Sequence, residues 1–345
     1  MPPNRTSDDV TRGPRRRHWQ SVVFWIALLT ILITAAGAYY QSFSVARDRR
    51  IYHMRGRFVD VGSRKMHIDC IGQGTPPVIL DSGLGDVSTS WREVQPQIAR
   101  FTRVCSYDRA GLGYSDPSER TRTSKDIAVE LHMLVHNAGV PTPLVLVGHS
   151  SGGLNVRMFA SLYPSEVAGM VLVDSSHPDQ ENRFPQAMKA MDARLLRQVE
   201  VQEVAMRFGI LRLCSACDRF DYCHNDGADR AAECNVHTLR EGISEWHALP
   251  ESAAQVAATG SLGDMPLIIL SHDPDKPDAD LPSDLDKAVQ DAWDKMQEEL
   301  VQLSSKGSRT IAKNSGHYIQ LERPDVVIEA VGKIVAQVRD ATSEP

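Results

Sequence analysis

The chain has 345 residues, 42% of them hydrophobic and 24% charged, a globular composition with room for one large α/β domain or two smaller ones. Its formal net charge is −6 at pH 7, with no long run of one sign outside the N-terminus. This charge distribution lacks the clustered basic residues of a nucleic-acid-binding protein, so we expect a small-molecule or polymer substrate instead.

The first segment in chain order is apolar. Residues 20–40 carry no charged side chain, and as a helix they are long enough to cross the ~30 Å hydrocarbon core of a bilayer. This length predicts a single transmembrane anchor. A removed signal peptide is the alternative, because Ala36-Gly37-Ala38 forms a small-residue cleavage site, although the run exceeds the roughly 7–15 apolar residues usual in a signal.

The charges around this segment indicate its orientation. Arg15, Arg16 and Arg17 precede it and favour a cytoplasmic tail over residues 1–19, although basic residues at positions 47, 49 and 50 follow it closely. We expect a linker over residues 41–55 and the remainder of the chain outside the cytoplasm, either tethered to the membrane or secreted after cleavage.

Eight strand-like runs follow the linker. The first two, 56–62 and 64–72, meet at Gly62-Ser63 as the strands of a hairpin would. The other six have the continuous apolar character of strands buried on both faces of a parallel sheet. They are 77–83, 103–109, 144–150, 169–175, 266–272 and 309–316.

Helical patterns alternate with these strands. Ser124 is predicted to cap a helix that ends near Gly139, and Pro324 to open a last helix. This alternation predicts a doubly wound α/β core over residues 56–176 and 265–340. Residues 177–264 have helical patterns without a convincing strand, so we expect them to form a lid over the carboxyl edge of the sheet.

One sequence motif indicates a catalytic serine. Gly148-His149-Ser150-Ser151-Gly152 fits the pattern G-x-S-x-G between an apolar strand and a helix-compatible run. A sharp strand-to-helix turn exposes the middle serine and needs small neighbours, which here are Gly148 and Gly152. The motif therefore predicts Ser150 as a nucleophile. A serine hydroxyl needs a base, and His317, between the last strand and the Pro324 helix, is the candidate.

Four motifs resemble those of the α/β-hydrolase superfamily between about residues 56 and 340: VILDSGLG, YDRAGLGYSD, LVLVGHSSGG and NSGHYIQLERP. They are similar to the lidded branch that includes esterases, proline iminopeptidases and haloperoxidase-like enzymes. Haloalkane dehalogenases and epoxide hydrolases share that architecture but use an aspartate nucleophile, so Ser150 argues against both. The resemblance implies a mostly parallel eight-stranded sheet with a helical lid, and no cofactor or metal.

The resemblance also implies an oxyanion hole made of two backbone N–H groups, which fall on Leu84 and Ser151. Gly83 directly precedes Leu84 and, as a glycine, would permit a close turn there. The family usually has a histidine before that glycine, where this chain has Ser82. The main-chain N–H of Leu84 remains a possible donor whichever side chain is present at position 82.

The acid of the triad stays open between two places. The resemblance puts it after the seventh strand, where Asp273 and Asp275 are candidates although the register does not match the family pattern. Asp174 is the alternative and the one we prefer, because it ends the sixth strand at the same carboxyl edge. A strand-end aspartate can also serve only to bond backbone amides.

Six cysteines are present, and four of them cluster within the expected lid: Cys214, Cys217, Cys223 and Cys234. In an exported chain this cluster predicts two disulfides. Zinc binding is the alternative, but the spacing lacks a second C-x2-C knuckle. Cys70 and Cys105 fall on strands that are neighbours in the superfamily's sheet, where they form either a third disulfide or two buried thiols.

Together these features predict a serine hydrolase that forms an acyl-enzyme on Ser150. Esters are the expected substrates, because the sequence offers neither a metal site nor an obvious pocket for a charged amine. An aminopeptidase or amidase of the same fold is one alternative. A hydrolase-fold protein that only binds its partners is another.

Overall fold

The computed structural model describes residues 14–52, 55–118, 122–214, 217, 231–232 and 234–343. Its centre is one eight-stranded sheet, in the order β1-β2-β4-β3-β5-β6-β7-β8. β2 pairs antiparallel with β1 and with β4, and all other pairs are parallel. The strands are β1 Arg57–Asp60, β2 Lys65–Ile71, β3 Val78–Asp81, β4 Val104–Tyr107, β5 Leu144–His149, β6 Val167–Val173, β7 Leu267–His272 and β8 Gly307–Ala312. This confirms the predicted fold class.

The central strands are apolar throughout because both faces of the sheet are covered. In β5, Leu144 and Leu146 pack into one core, while Val145 and Val147 pack into the core on the opposite face. Side chains alternate across a strand, so each core receives every second residue. The carboxyl ends of the parallel strands therefore emerge at a single edge, between two rigid layers.

Helices cover the two faces. On one side lie α3 (Ser124–Asn137) and α4 (Gly152–Leu162), and on the other lie α2 (Gln95–Ile98) and the last helix, Pro324–Ser343. The last helix begins at the predicted proline. The predicted cap of α3 is wrong by one residue: Thr123 accepts the hydrogen bond from the Asp126 N–H, and the Ser124 hydroxyl instead donates to Asn155.

Most of the described residues between 177 and 264, here called the lid region, are helical. It contains α5 (Gln180–Arg183), α6 (Gln186–Arg207), α7 (Ile210–Leu213) and α8 (Val236–Ala257). The core then resumes with β7, α9 (Ser283–Val301), β8, the short α10 (Ile319–Glu322) and α11 (Pro324–Ser343).

The N-terminal helix α1 runs from Pro14 to Ile51, and its portion from His18 onward is long and apolar enough to cross a membrane. The expected linker over residues 41–55 needs correction, because it is helical as far as Ile51. The reason is packing: Gln41, Ser44 and Asp48 recur along one face of α1 and are buried there.

That buried face of α1 packs on the lid. Asp48 forms an ion pair with Arg212 at 2.5 Å, and both side chains are almost completely buried. Arg212 also donates to the Gln41 side chain and to the carbonyl of Cys234. The apolar helix is thus joined to the lid by a polar network that satisfies a buried guanidinium.

Two disulfides lie within the described residues. Cys70 and Cys105 are directly opposed on β2 and β4 and are bonded, as are Cys217 and Cys234 in the lid. The bonded lid pair rules out zinc coordination by those two thiolates. Cys214 is exposed and is not in a disulfide, whereas Cys223 lies outside the described residues, so only one of the two predicted lid disulfides is seen.

Replacing Asp48 with alanine should loosen the lid. Removal of one partner leaves the other charge buried and unpaired, which destabilises by about 3 kcal/mol or more. We expect faster protease cleavage between 186 and 257 and a lower thermal midpoint of the full chain in detergent. Arg50→Ala, on the exposed face of α1, is the matched control. Equal cleavage of both variants would contradict a structural role for the ion pair.

Candidate active site

Ser150 lies at the turn between β5 and α4, with a φ angle of 51°. This left-handed conformation is strained for a residue with a side chain, and the surrounding structure holds it. A Cβ on Gly148 would lie 2.6 Å from the Gly152 carbonyl oxygen, and a Cβ on Gly152 would lie 2.5 Å from the Ser82 carbonyl oxygen. The two glycines are therefore required by the turn, as the motif predicts.

The turn is fixed to the neighbouring strand. The Ser150 N–H donates to the Val173 carbonyl at 3.1 Å, and the Ser176 N–H donates to the Ser150 carbonyl at 2.9 Å. Both partners flank Asp174, which itself has a φ angle of 42°. The serine and the aspartate are thus held at adjacent strand ends by main-chain hydrogen bonds.

His317 is brought to the same edge by the loop after β8. Its Nδ1 lies 2.6 Å from Asp174 Oδ2, the distance of a charge-assisted hydrogen bond. Asp174 is fully buried, whereas the His317 side chain is 40% exposed. Among the described residues, neither His317 Nε2 nor the Ser150 hydroxyl forms a side-chain hydrogen bond, with each other or with any other group.

Asp273 and Asp275 are placed elsewhere. The Asp273 carboxylate accepts hydrogen bonds from the Asn314 N–H and from Lys313, and Asp275 pairs with the same lysine. These contacts hold the pKa of Asp273 down at about 2. The structure brings His317 to Asp174, whereas Asp273 and Asp275 both pair with Lys313.

Asp174 has two further partners that the sequence did not indicate. Its Oδ1 accepts from Trp293 Nε1 at 3.0 Å and from the main-chain N–H of His272 at 3.0 Å. The His272 ring also contacts the carboxylate, with Nδ1 2.8 Å from Oδ2. A second histidine therefore shares the carboxylate that holds His317.

His272 has a hydrogen-bond acceptor at each ring nitrogen. Its Nε2 faces Gln290 Oε1, and the orientation of that amide is supported by its NH₂ group, which donates to Asp286. A ring that faces two acceptors is favoured in its doubly protonated, charged form. Burial acts against this charge, but the attraction of Asp174 outweighs it and raises the pKa of His272 to about 9.

The same interaction acts on Asp174. Burial alone would raise the pKa of this carboxyl group, but the adjacent His272 charge and the hydrogen bonds from His272 and His317 lower it well below the usual range. The carboxylate therefore stays ionised throughout the neutral range although no part of it contacts solvent.

The loop after β3 contains Leu84, whose main-chain N–H is one of the two predicted oxyanion donors. Arg109 donates to the carbonyls of Ser82 and Gly83, at 2.8 and 2.6 Å. Because N–H and C=O point in opposite directions in a trans peptide, the Leu84 N–H points away from Arg109. Neither that N–H nor the Ser151 N–H donates a hydrogen bond within the described part of the chain, which is what an oxyanion hole requires.

Arg109 also links this loop to the lid. Its guanidinium makes a bidentate pair with Glu245 of α8, at 2.6 and 2.8 Å, and binds Asp81 at 2.8 Å. Glu245 in turn accepts from the Gly85 N–H at 3.0 Å. Sequence reasoning missed Glu245, because a glutamate within a lid helix has no local signal for a partner 136 residues away.

His149 contacts His317. Its Nε2 donates to the His317 carbonyl at 3.1 Å, and the two ring centroids are 4.7 Å apart. Burial, together with the nearby His317, lowers the pKa of His149 to about 3, so this ring is neutral. An uncharged ring can pack here without adding a further cation beside Asp174 and His317.

The His272 charge predicts a pH-dependent stability. Its folded pKa of about 9 exceeds the unfolded value of 6.5, so its contribution is full below about pH 6.5 and is lost as pH rises through 9. His272→Asn keeps a donor near Asp174 but removes the charge. The difference in unfolding free energy between wild type and variant should shrink by at most about 3 kcal/mol between pH 6.5 and 9.5.

Chemical unfolding of both proteins in detergent at several pH values would measure this difference. A difference that stays constant from pH 6.5 to 9.5 would mean that His272 is neutral in the folded protein.

Many solved structures share the fold, and two of them are hydrolases of different kinds. The epoxide hydrolase CorEH is 20% identical, with a TM-score of 0.62 over 82% of this chain and 98% of its own. A thermophilic esterase from Thermogutta terrifontis is 19% identical, with a TM-score of 0.55 over 83% of this chain and 99% of its own. At such identities the likeness concerns the fold, which hosts more than one reaction.

The sequence comparisons agree with the architecture. The uncharacterized protein YbdG of Bacillus subtilis is 24% identical over 157 residues, which cover 45% of this chain and 48% of YbdG. The match therefore spans about half the length of that relative. The sequence model of the alpha/beta hydrolase fold matches residues 76–324, more than half of the chain. The chain belongs to the alpha/beta hydrolase family.

Proposed function

We propose that this protein is a serine hydrolase of carboxylic esters. The observation that carries the proposal is the hydrogen bond of 2.6 Å between His317 and the buried Asp174, at the strand end next to the strained turn of Ser150. A serine, a histidine and an oriented carboxylate are the parts that nucleophilic acyl transfer needs. Family membership supports hydrolysis in general.

In the proposed mechanism the Ser150 hydroxyl attacks the ester carbonyl while His317 Nε2 takes its proton. Asp174 accepts from His317 Nδ1, which selects the tautomer whose Nε2 is free to act as a base. The oxyanion that forms is bound by the Leu84 and Ser151 N–H groups.

His317 then gives the proton to the departing alkoxide, which leaves the acyl group on Ser150. Water, deprotonated by the same ring, attacks the acyl-enzyme, and the proton returns to the serine as the acid is released. Esters are the easier substrates for this mechanism, because an ester carbonyl has less resonance stabilisation than an amide carbonyl and is attacked more readily.

The setting of the site supports a location at a membrane, outside the cytoplasm. The apolar part of α1 is exposed to its surroundings along its length, as a bilayer-spanning helix would be. Two disulfides join cysteines of the following domain, and disulfides persist in oxidising compartments. We propose that α1 tethers the domain and that the substrate is a small acyl ester.

Ser150→Ala should abolish covalent labelling by a fluorophosphonate probe and lower ester hydrolysis roughly 10⁴-fold or more. The matched control is Ser161→Ala, an exposed serine at the far end of α4, which should label like wild type. Labelling of wild type and of Ser150→Ala to the same extent would refute the proposed nucleophile. Aminoacyl anilides assayed beside acyl esters would reveal an amidase if they are the faster substrates.

Replacement of the candidate acids separates them. Asp174→Asn should lower kcat for ester hydrolysis by about 10³- to 10⁴-fold, because the amide can hold His317 in the wrong tautomer. Asp273→Asn should stay within about tenfold of wild type, since that carboxylate contacts Lys313 and Asn314 instead. Thermal unfolding of both variants would show that they are folded. A larger loss in Asp273→Asn would reassign the acid.

A further inference from the structure

A second cluster of chemically capable side chains lies far from Ser150. His132 and His136 are one turn apart on α3, and Glu166 closes the short 3-10 helix Pro164–Glu166 that precedes β6. His132 Nε2 lies 3.1 Å from Glu166 Oε1, and His136 Nε2 lies 3.2 Å from Glu166 Oε2. The two rings and the carboxylate therefore point at one place.

The spacing of these atoms fits a metal ion. Tetrahedral zinc with ligand bonds of about 2.0–2.1 Å has ligand atoms roughly 3.3 Å apart. Glu166 Oε1 is 3.1 Å from one histidine nitrogen and 3.3 Å from the other, and all three ligand atoms lie within 4.8 Å of one another. Small side-chain rotations would place one ion between them.

The ligands are pre-positioned but accessible. The His132 ring stacks on Tyr163, with centroids 3.8 Å apart and planes 11° from parallel. The side chains of His132, His136 and Glu166 are 26, 50 and 20% exposed, respectively. Packing thus restricts the His132 ring, while the open side of the cluster admits an ion and a water ligand.

We propose that His132, His136 and Glu166 bind one divalent transition-metal ion, of the Zn²⁺, Ni²⁺ or Cu²⁺ type. Two imidazoles and one carboxylate are the nitrogen and oxygen ligands that these ions prefer, and solvent completes the coordination.

The ion's role is structural. Glu166 precedes the amino end of β6, whereas Asp174 follows its carboxyl end, so the seven-residue strand separates the two sites. The metal joins α3 to the start of β6, and its binding stabilises the folded chain by mass action. It competes with protons for both rings, so binding weakens on acidification.

The test uses the full chain in detergent, freed of metal by a chelator and titrated with Zn²⁺ in a calorimeter. We expect one equivalent to bind and the thermal midpoint to rise with the Zn²⁺ concentration. Co²⁺ should give the visible absorption of a low-symmetry site. His132→Ala, His136→Ala and Glu166→Gln should each weaken binding roughly tenfold or more.

Two variants act as controls. His247→Ala removes a histidine of α8 that pairs with only one carboxylate, Glu200, at 3.1 Å, and it should bind Zn²⁺ like wild type. Cys214→Ser removes the exposed thiol and should also bind normally.

Absence of saturable binding to the wild type would overturn the proposal. So would binding that persists unchanged in His136→Ala, an exposed position where the substitution leaves the core intact. Circular dichroism of each variant distinguishes lost ligands from lost structure.

Discussion

The candidate site depends on the hydrogen bonds that one buried carboxylate, that of Asp174, accepts. This carboxylate is fully buried, yet it is ionised because two histidines, a tryptophan and a main-chain amide all donate to it. A buried carboxylate with a single partner would be costly to desolvate, whereas this one accepts from four donors, one of which, the His272 ring, is favoured as a cation. His317 and the His272 ring therefore share one carboxylate, and the Nδ1 atoms of both rings contact its Oδ2.

The sharing of Asp174 by His317 and His272 bears on the proposed proton transfer. When His317 takes the serine proton, it becomes the second imidazolium ion beside one carboxylate. Asp174 would then be the shared counter-ion of both rings, and its hydrogen bond to Nδ1 would keep His317 oriented while the ring passes the proton to the leaving group.

Sequence patterns predicted the sheet and much of the candidate site, because both follow from local rules. The apolar runs marked all eight strands, and the G-x-S-x-G motif marked a turn in which Gly148 and Gly152 are sterically required. His272, Trp293 and Glu245 were missed because their partners are distant in the chain, and no periodicity encodes such contacts. The helical extension of α1 was missed for the same reason: Gln41 and Asp48 look like linker residues until Arg212 buries them.

Two separate buried ion pairs hold the lid region, one to the N-terminal helix and one to the loop of the candidate site. Asp48 of α1 holds Arg212 of the lid, and elsewhere in the lid Glu245 holds Arg109. Arg109 fixes the Gly83 carbonyl, and with it the direction of the Leu84 N–H. Because buried ion pairs are strongly weakened by loss of either partner, a displaced lid would release this loop. Glu245 of the lid region therefore helps to fix the conformation of the loop after β3.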